Sequence, residues 1–283
     1  MKATYKSYAK INLSLDVLGR MDNGYHQVKM VMQTVSLFDT ITVETLPEKD
    51  IRISANLPFL PTGPENLAYK AAEMFFAETG IEGGAAINLN KHIPVGAGLA
   101  GGSSNCAVVL RALNRLYGAE LSTHRLCTMG EKLGADVPYC ILGGTRLAEG
   151  IGEQLSPLPR MPFCHILLVK PAFSISTKSV YEKIDSYDDY RRPDTDQVIN
   201  GLKSRNLQAL AKGMGNVLEE VSLNDYPVLR ELKEQLKEYG AVAAQMSGSG
   251  PTVFGIFTDR RKAEFAKNQL WGKYKTVYLC NPV

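Results

Sequence analysis

Cysteine is sparse and unpaired in spacing: Cys106, Cys127, Cys140, Cys164 and Cys280 are an odd five, widely separated, with no CxxC among them. That pattern excludes a disulfide framework and reads as reduced, mostly buried thiols. Histidine is as thin, four residues scattered along 283, so no structural zinc site has its ligands and no protein-borne metal site is expected. No apolar run approaches the roughly 20 residues of a membrane span, and Met1 to Tyr8 lacks the apolar core of a secretion signal. A soluble, cytoplasmic protein with no membrane partner is expected. An excess of one charge is also missing. Lys and Arg total 32 against 29 Asp and Glu, and no basic cluster is interleaved with aromatics, which argues against nucleic acid as a partner. There is no G-K-[ST], no HRD and no DFG, so neither a Walker A site nor a protein kinase fits. Internal repeats are absent.

What is present suits two modest domains, since 45% hydrophobic content over this length can bury a substantial core. Ile11, Leu13, Leu15 and Val17 alternate with Lys10, Asn12, Ser14 and Asp16, as in a half-buried strand, so Lys10 and Asn12 share a face. Asp22-Asn23-Gly24 supplies a turn, with strands expected at 27–36 and 40–45. A helix is predicted over 65–79, ended by Gly80, and a strand over 85–90. A glycine-rich loop, Pro94 to Ser104, then precedes a helix over 106–117 opened by Ser103, Ser104 and Asn105; Ser122 caps the next helix, closed by Gly134. Three prolines within 156–162 mark a linker, which divides the chain into domains 1–157 and 158–283. Beyond it come a strand at 164–170, helices within 206–239, strands at 241–246 and 252–257, a helix at 260–270 and a strand at 276–280. This order is a β-α-β-β-α-β, ferredoxin-like unit within an α+β fold. The charged stretch 185–196 is expected to be irregular.

The loop carries the chemistry. Phosphate needs several backbone N–H groups converging at short range, which Gly96, Gly98, Gly101 and Gly102 permit, and a helix N-terminus adds favourable dipole. The hydroxyls of Ser103 and Ser104 would be free to meet phosphate or Mg²⁺. The loop contains G-x-G-x-x-G, but a dinucleotide-binding βαβ unit is refused because Glu120 lies in a helix-to-helix turn with no second strand to end. By spacing alone, Lys10 reads as a solvated strand-face lysine, and Asp136 serves equally well as the N-cap of VPYCIL.

YAKINLSLDVLGR at 8–20, NGYH at 23–26, IPVGAGLAGGSS at 93–104, GADVPYC at 134–140, EGIGEQLSP at 149–157 and MSGSGPTVF at 246–254 occur in the order found in the GHMP kinase superfamily. The chain resembles that family across nearly its whole length, and within it the kinases of 4-diphosphocytidyl-2-C-methyl-D-erythritol. The resemblance implies an N-terminal domain like ribosomal protein S5 domain 2, a ferredoxin-like C-terminal domain, and phosphorylation of a 2-hydroxyl by ATP with Mg²⁺ in the non-mevalonate isoprenoid pathway. It assigns ATP to Pro94, Val95, Gly96, Ala97, Gly98, Leu99, Ala100, Gly101, Gly102, Ser103 and Ser104, and catalysis to Lys10 and Asp136. Asp136 would take the hydroxyl proton, and Lys10 would offset charge near the phosphoryl group. The small-molecule substrate carries a cytidine diphosphate group, for which the resemblance implies stacking on Tyr25 and Tyr181, hydrogen bonding between His26 and the base, and polar contacts from Asn12, Thr177 and Ser249. Three positions depart from the family pattern: Asn105, where aspartate is expected, Cys106 for alanine and Tyr8 for proline. Other readings are a GHMP kinase of mevalonate or homoserine and a nucleotide-binding relative without turnover. A monomer or homodimer fits equally.

Overall fold

The alternation around Ile11 extends in both directions, so that strand β1 runs Lys2–Arg20, and β2 runs His26–Leu46 without the break expected at 37–39. The computed structural model describes residues 1–22, 24–187 and 190–283. Asn23, in the expected turn and in NGYH, lies outside the described residues, as do Asp188 and Asp189 in the charged stretch. Two compact units form. One comprises Met1–Ala9, Leu37–Val95 and Ala100–Gly143; the other comprises Lys10–Ser36, Gly96–Leu99 and Gly144–Val283. β1 and β2 contribute residues to each.

In the first unit, β3 (Ile51–Ala55) pairs parallel with β4 (Gly84–Asn90), which pairs antiparallel with β2 in a register that sets Thr40 opposite Asn90 and Leu46 opposite Gly84. Four helices accompany these strands: α1 (Leu67–Thr79), α2 (Gly101–Tyr117), α3 (Thr123–Leu133) and α4 (Val137–Leu142). Asn66 caps α1 by accepting from Ala68 N, and Gly80 ends it at φ +65°. Ile41, Val43, Phe75, Ile87, Leu89, Leu110, Leu113 and Val137 close the core. The start of α2 corrects the expectation that Ser103, Ser104 and Asn105 precede the helix. It begins at Gly101, after Ala100 turns the chain left-handed at φ +55°, and Ser104 N donates to Ala100 O at 2.8 Å. Burial from Ser104 onward outweighs the poor helix propensity of the two glycines. A side chain at Gly101 would crowd Ile93 and Lys91.

In the second unit, a hairpin of β5 (Thr145–Glu149) and β6 (Gln154–Pro157) lies beside residues 30–33 of β2, and the two-residue β8 (Gly215–Asn216) runs parallel to β1. The remaining strands, β7 (His165–Lys170), β9 (Ala243–Met246), β10 (Val253–Phe257) and β11 (Thr276–Cys280), form an antiparallel sheet in the order β11-β7-β10-β9. That is the ferredoxin-like arrangement the element order implied. Its helices are α5 (Thr177–Ile184), α6 (Thr195–Lys203), α7 (Leu207–Gly213), α8 (Glu219–Asp225), α9 (Val228–Glu238) and α10 (Arg260–Trp271). Leu229, Leu232 and Leu236 of α9 and Ala263, Ala266 and Leu270 of α10 bury their stripes on this sheet. Residues 158–164 are irregular, as their prolines require. Among the described residues no helix is long and apolar enough to cross a membrane.

Candidate active site

In the second unit the alternation of β1 places Lys10 and Asn12 on one face, both buried, with Lys10 Nζ donating to Asn12 Oδ1 at 2.9 Å. A solvated strand-face lysine is therefore ruled out: Lys10 is 5% exposed. Gln245 Nε2 donates to Asn12 O at 3.0 Å and fixes the strand backbone there. The loop tip docks on the same residues. Lys10 N donates to Leu99 O at 3.2 Å, and Ser247 Oγ donates to Gly98 O at 2.9 Å. Gly98 sits at φ +73°, and a Cβ there would overlap the carbonyl oxygen of Ser247, so backbone meets backbone at a distance only glycine allows. Ala97 and Leu99 are buried anchors. The 246–251 turn thus abuts the loop, with Gly248 close to both Gly98 and Lys10 Nζ.

Two residues absent from the sequence reading hold that turn. Asn216 Nδ2 donates to Met246 O at 2.9 Å and to Gly248 O at 2.8 Å, while its Oδ1 accepts from Leu218 N. Glu219 Oε1 accepts from Met246 N at 2.7 Å, and Lys233 pairs with its other oxygen. Burial pushes the Glu219 carboxyl up, and Lys233 opposes that shift. Thr177 and Ser249, both expected to touch substrate, join their hydroxyls at 2.7 Å. His26 and Tyr181 also come together, ring centroids 5.1 Å apart at 38°, and Tyr25 is 60% exposed beside them in sequence. The His26 ring is backed by Asp185, with Nε2 2.6 Å from Oδ1. Nothing in the charged stretch marked Asp185 for this contact.

In the first unit, the opening of α2 leaves the N–H groups of Ala100, Gly101, Gly102 and Ser103 without intrahelical acceptors, which favours an anion. The free hydroxyl expected at Ser104 is corrected: Ser104 faces inward, its Oγ paired with Ser7 Oγ and donating to Tyr8 O, each at 2.7 Å. Asn105 also faces inward. Its Nδ2 donates to Asp39 Oδ2 at 2.8 Å and to Ser7 Oγ at 2.9 Å, and its Oδ1 accepts from Lys91 Nζ at 2.9 Å. Lys91 makes a short ion pair with Asp39, whose other oxygen accepts from His92 N and Ile93 N at 2.7 and 2.8 Å. Burial lowers the Lys91 pKa, and Asp39 opposes the shift. This network anchors the segment entering the loop, and the neutral Asn105 is a structural member of it. Asp136 occupies the N-cap position of α4 but makes no side-chain cap hydrogen bond, which removes the capping explanation for it.

The opening N–H groups of α2 suit a polyphosphate, while Gly98 and Gly101 are required by protein packing, since added Cβ atoms there would meet Ser247 O and the side chains of Ile93 and Lys91. Among the described residues no group of three or more His, Cys, Asp or Glu side chains could hold a metal ion.

Comparison with known proteins gives the family. The GHMP kinases N terminal domain matches residues 66–144, and the GHMP kinases C terminal domain matches residues 198–275. A curated relative from Lachnospira eligens, named 4-diphosphocytidyl-2-C-methyl-D-erythritol kinase, is 52% identical over 90% of this chain and 89% of its own. A crystal structure of 4-(cytidine 5'-diphospho)-2C-methyl-D-erythritol kinase superposes with a TM-score of 0.85 at 32% identity, covering 99% of both chains. Homoserine kinase from Cytophaga hutchinsonii shares the fold, with a TM-score of 0.79 at 18% identity over 98% of this chain and 94% of that one.

Proposed function

The chain belongs to the GHMP kinases, and from that membership we propose that it transfers the γ-phosphoryl group of ATP to the 2-hydroxyl of 4-diphosphocytidyl-2-C-methyl-D-erythritol, a step of the non-mevalonate isoprenoid pathway. One observation carries this choice of acceptor: likeness to enzymes of that name covers 90% of the chain at 52% identity and 99% of it at 32%, whereas the homoserine kinase retains the fold at 18%.

In this reading residues 1–157 bind ATP and perform the chemistry, and 158–283 complete the acceptor site. The N–H groups of the 94–104 loop cradle the phosphates, with Pro94, Val95, Ala97 and Leu99 shaping the backbone and Ala100 to Ser103 presenting the helix N-terminus. Mg²⁺ carried in with ATP would supply charge neutralisation beside the loop residues that hold the phosphates. As the acceptor oxygen forms its bond to the γ-phosphorus, the bond from that phosphorus to the bridging oxygen of ADP breaks, and the hydroxyl proton passes to Asp136. Lys10, held by Asn12, offsets the developing charge. Asn12, Thr177 and Ser249 orient the acceptor, and Tyr25, His26 and Tyr181 take the cytosine.

ATP consumption measured with the cytidyl acceptor, mevalonate and homoserine tests the proposal. Turnover with the first alone is expected; equal or absent activity across the three overturns it. Asp136→Asn and Lys10→Ala are each expected to lose roughly 10²-fold or more in kcat, the scale of proton transfer and charge stabilisation, with unchanged circular dichroism.

A further inference from the structure

His26 opens β2, where its ring packs against that of Tyr181 at a centroid distance of 5.1 Å, and its Nε2 meets a carboxylate oxygen of Asp185 at 2.6 Å. Asp185 follows the last turn of α5, the helix that carries Thr177 and Tyr181. Its second oxygen accepts from Arg20 at 3.4 Å, so the carboxylate is held from two sides and its orientation is set before any ligand arrives. Asp185 as a carboxylate can only accept, so the proton on this imidazole edge belongs to Nε2. In the Nε2–H tautomer the lone pair lies at Nδ1, and among the described residues no hydrogen bond engages that atom.

We propose that Asp185 is a positioning residue for base selection, locking His26 in the Nε2–H tautomer so that Nδ1 accepts from the exocyclic amine of cytosine and opposes the 4-oxo group of uracil. The inference rests on the cytidyl-substrate reading above and adds to it the group that sets discrimination. Cytosine and uracil have the same ring and stack alike on tyrosine, so stacking cannot separate them. At the 4-position one donates and the other accepts. A fixed acceptor in the protein pairs with the first and leaves two lone pairs opposed with the second. Without Asp185 the imidazole is free to carry its proton on either nitrogen, and the preference fades.

The test compares kcat/KM for the cytidyl substrate with that for its uridyl analogue in the wild-type enzyme, Asp185→Ala and Asp185→Asn. Asp185→Ala is expected to shrink the cytidyl-to-uridyl ratio by about tenfold, the scale of one hydrogen bond, through KM for the nucleotide substrate, with kcat and KM for ATP unchanged. Asp185→Asn, whose amide oxygen still accepts, should recover part of the ratio. A ratio unmoved in Asp185→Ala overturns the proposal, as does a fall in kcat and both KM values together. Nitrogen-15 spectra of His26 in the wild-type protein supply a reading independent of activity and of variant folding. The Nε2–H tautomer is expected, and an imidazolium or Nδ1–H form at neutral pH overturns it. Absence of wild-type turnover with the cytidyl substrate would instead sink the functional reading, while the tautomer measurement would still judge Asp185.

Discussion

At Gly98 two demands coincide: a left-handed backbone and the carbonyl of Ser247 standing where a Cβ would be. Gly98→Ala should therefore raise KM for ATP by about tenfold or more, since either strain or a shifted loop costs on the order of 1–3 kcal/mol. Steady-state kinetics with varied ATP would reveal it. Asn105 supports a prediction of another kind. Asn105→Asp would set a second carboxylate beside Asp39 with Lys91 as the shared cation, all buried. The penalty should be on the order of 3 kcal/mol at neutral pH, the scale of an uncompensated buried charge. Its sign with pH is fixed. The new carboxyl is held above its unfolded pKa, so the loss is present at neutral pH and disappears as acid protonates it in both states. Denaturant melts of the two proteins at pH 7 and pH 5 should show the gap narrowing. Burial pushes the thiols of Cys106 and Cys164 up to about 12. At pH 8 only about one in 10⁴ of either would be thiolate. Both should resist alkylation in the native protein and react once guanidinium unfolds it.

Among the elements, β8 is the clearest case of length failing to measure importance. Its two residues pair with β1, and Asn216 then ties β1 to the carbonyls of Met246 and Gly248. Asn216→Ala leaves those carbonyls unpartnered by it and should cost about 1–3 kcal/mol, together with activity, because the 246–251 turn braces the phosphate loop. Thermal melts and turnover of the same preparation would test both. The sequence could not expose such an element, since two residues have no period and β8 exists only through its partner. Periodicity did expose β1, β4, α2 and the ferredoxin-like strands, whose apolar residues recur over four or more positions. α6 begins at the end of the charged stretch and is not legible in the sequence, because it offers few apolar anchors, Val198 and Leu202, behind a cap by Asp194. The site divides the same way. Lys10 and Asn12 share a face by simple alternation, whereas Asp185 meets His26 across 159 residues of sequence, and only the folded chain relates them.

For the molecule as a whole, ligand linkage offers a measurement independent of turnover. ATP at about 100 times its dissociation constant should add roughly 2.7 kcal/mol of stability, raising the melting temperature by several degrees. Asp136→Asn should keep that rise, because the carboxylate acts on the acceptor, and Gly98→Ala should lose most of it. Ala100, a methyl-bearing residue held at φ +55°, stores about 1 kcal/mol, which is released whenever the turn before α2 loosens. The first turn of that helix should therefore exchange its amide hydrogens ahead of the turns behind it, and nucleotide should slow it towards their rate. In Ala100→Gly the early exchange should diminish, so the loop that receives ATP is also the first part of α2 to breathe.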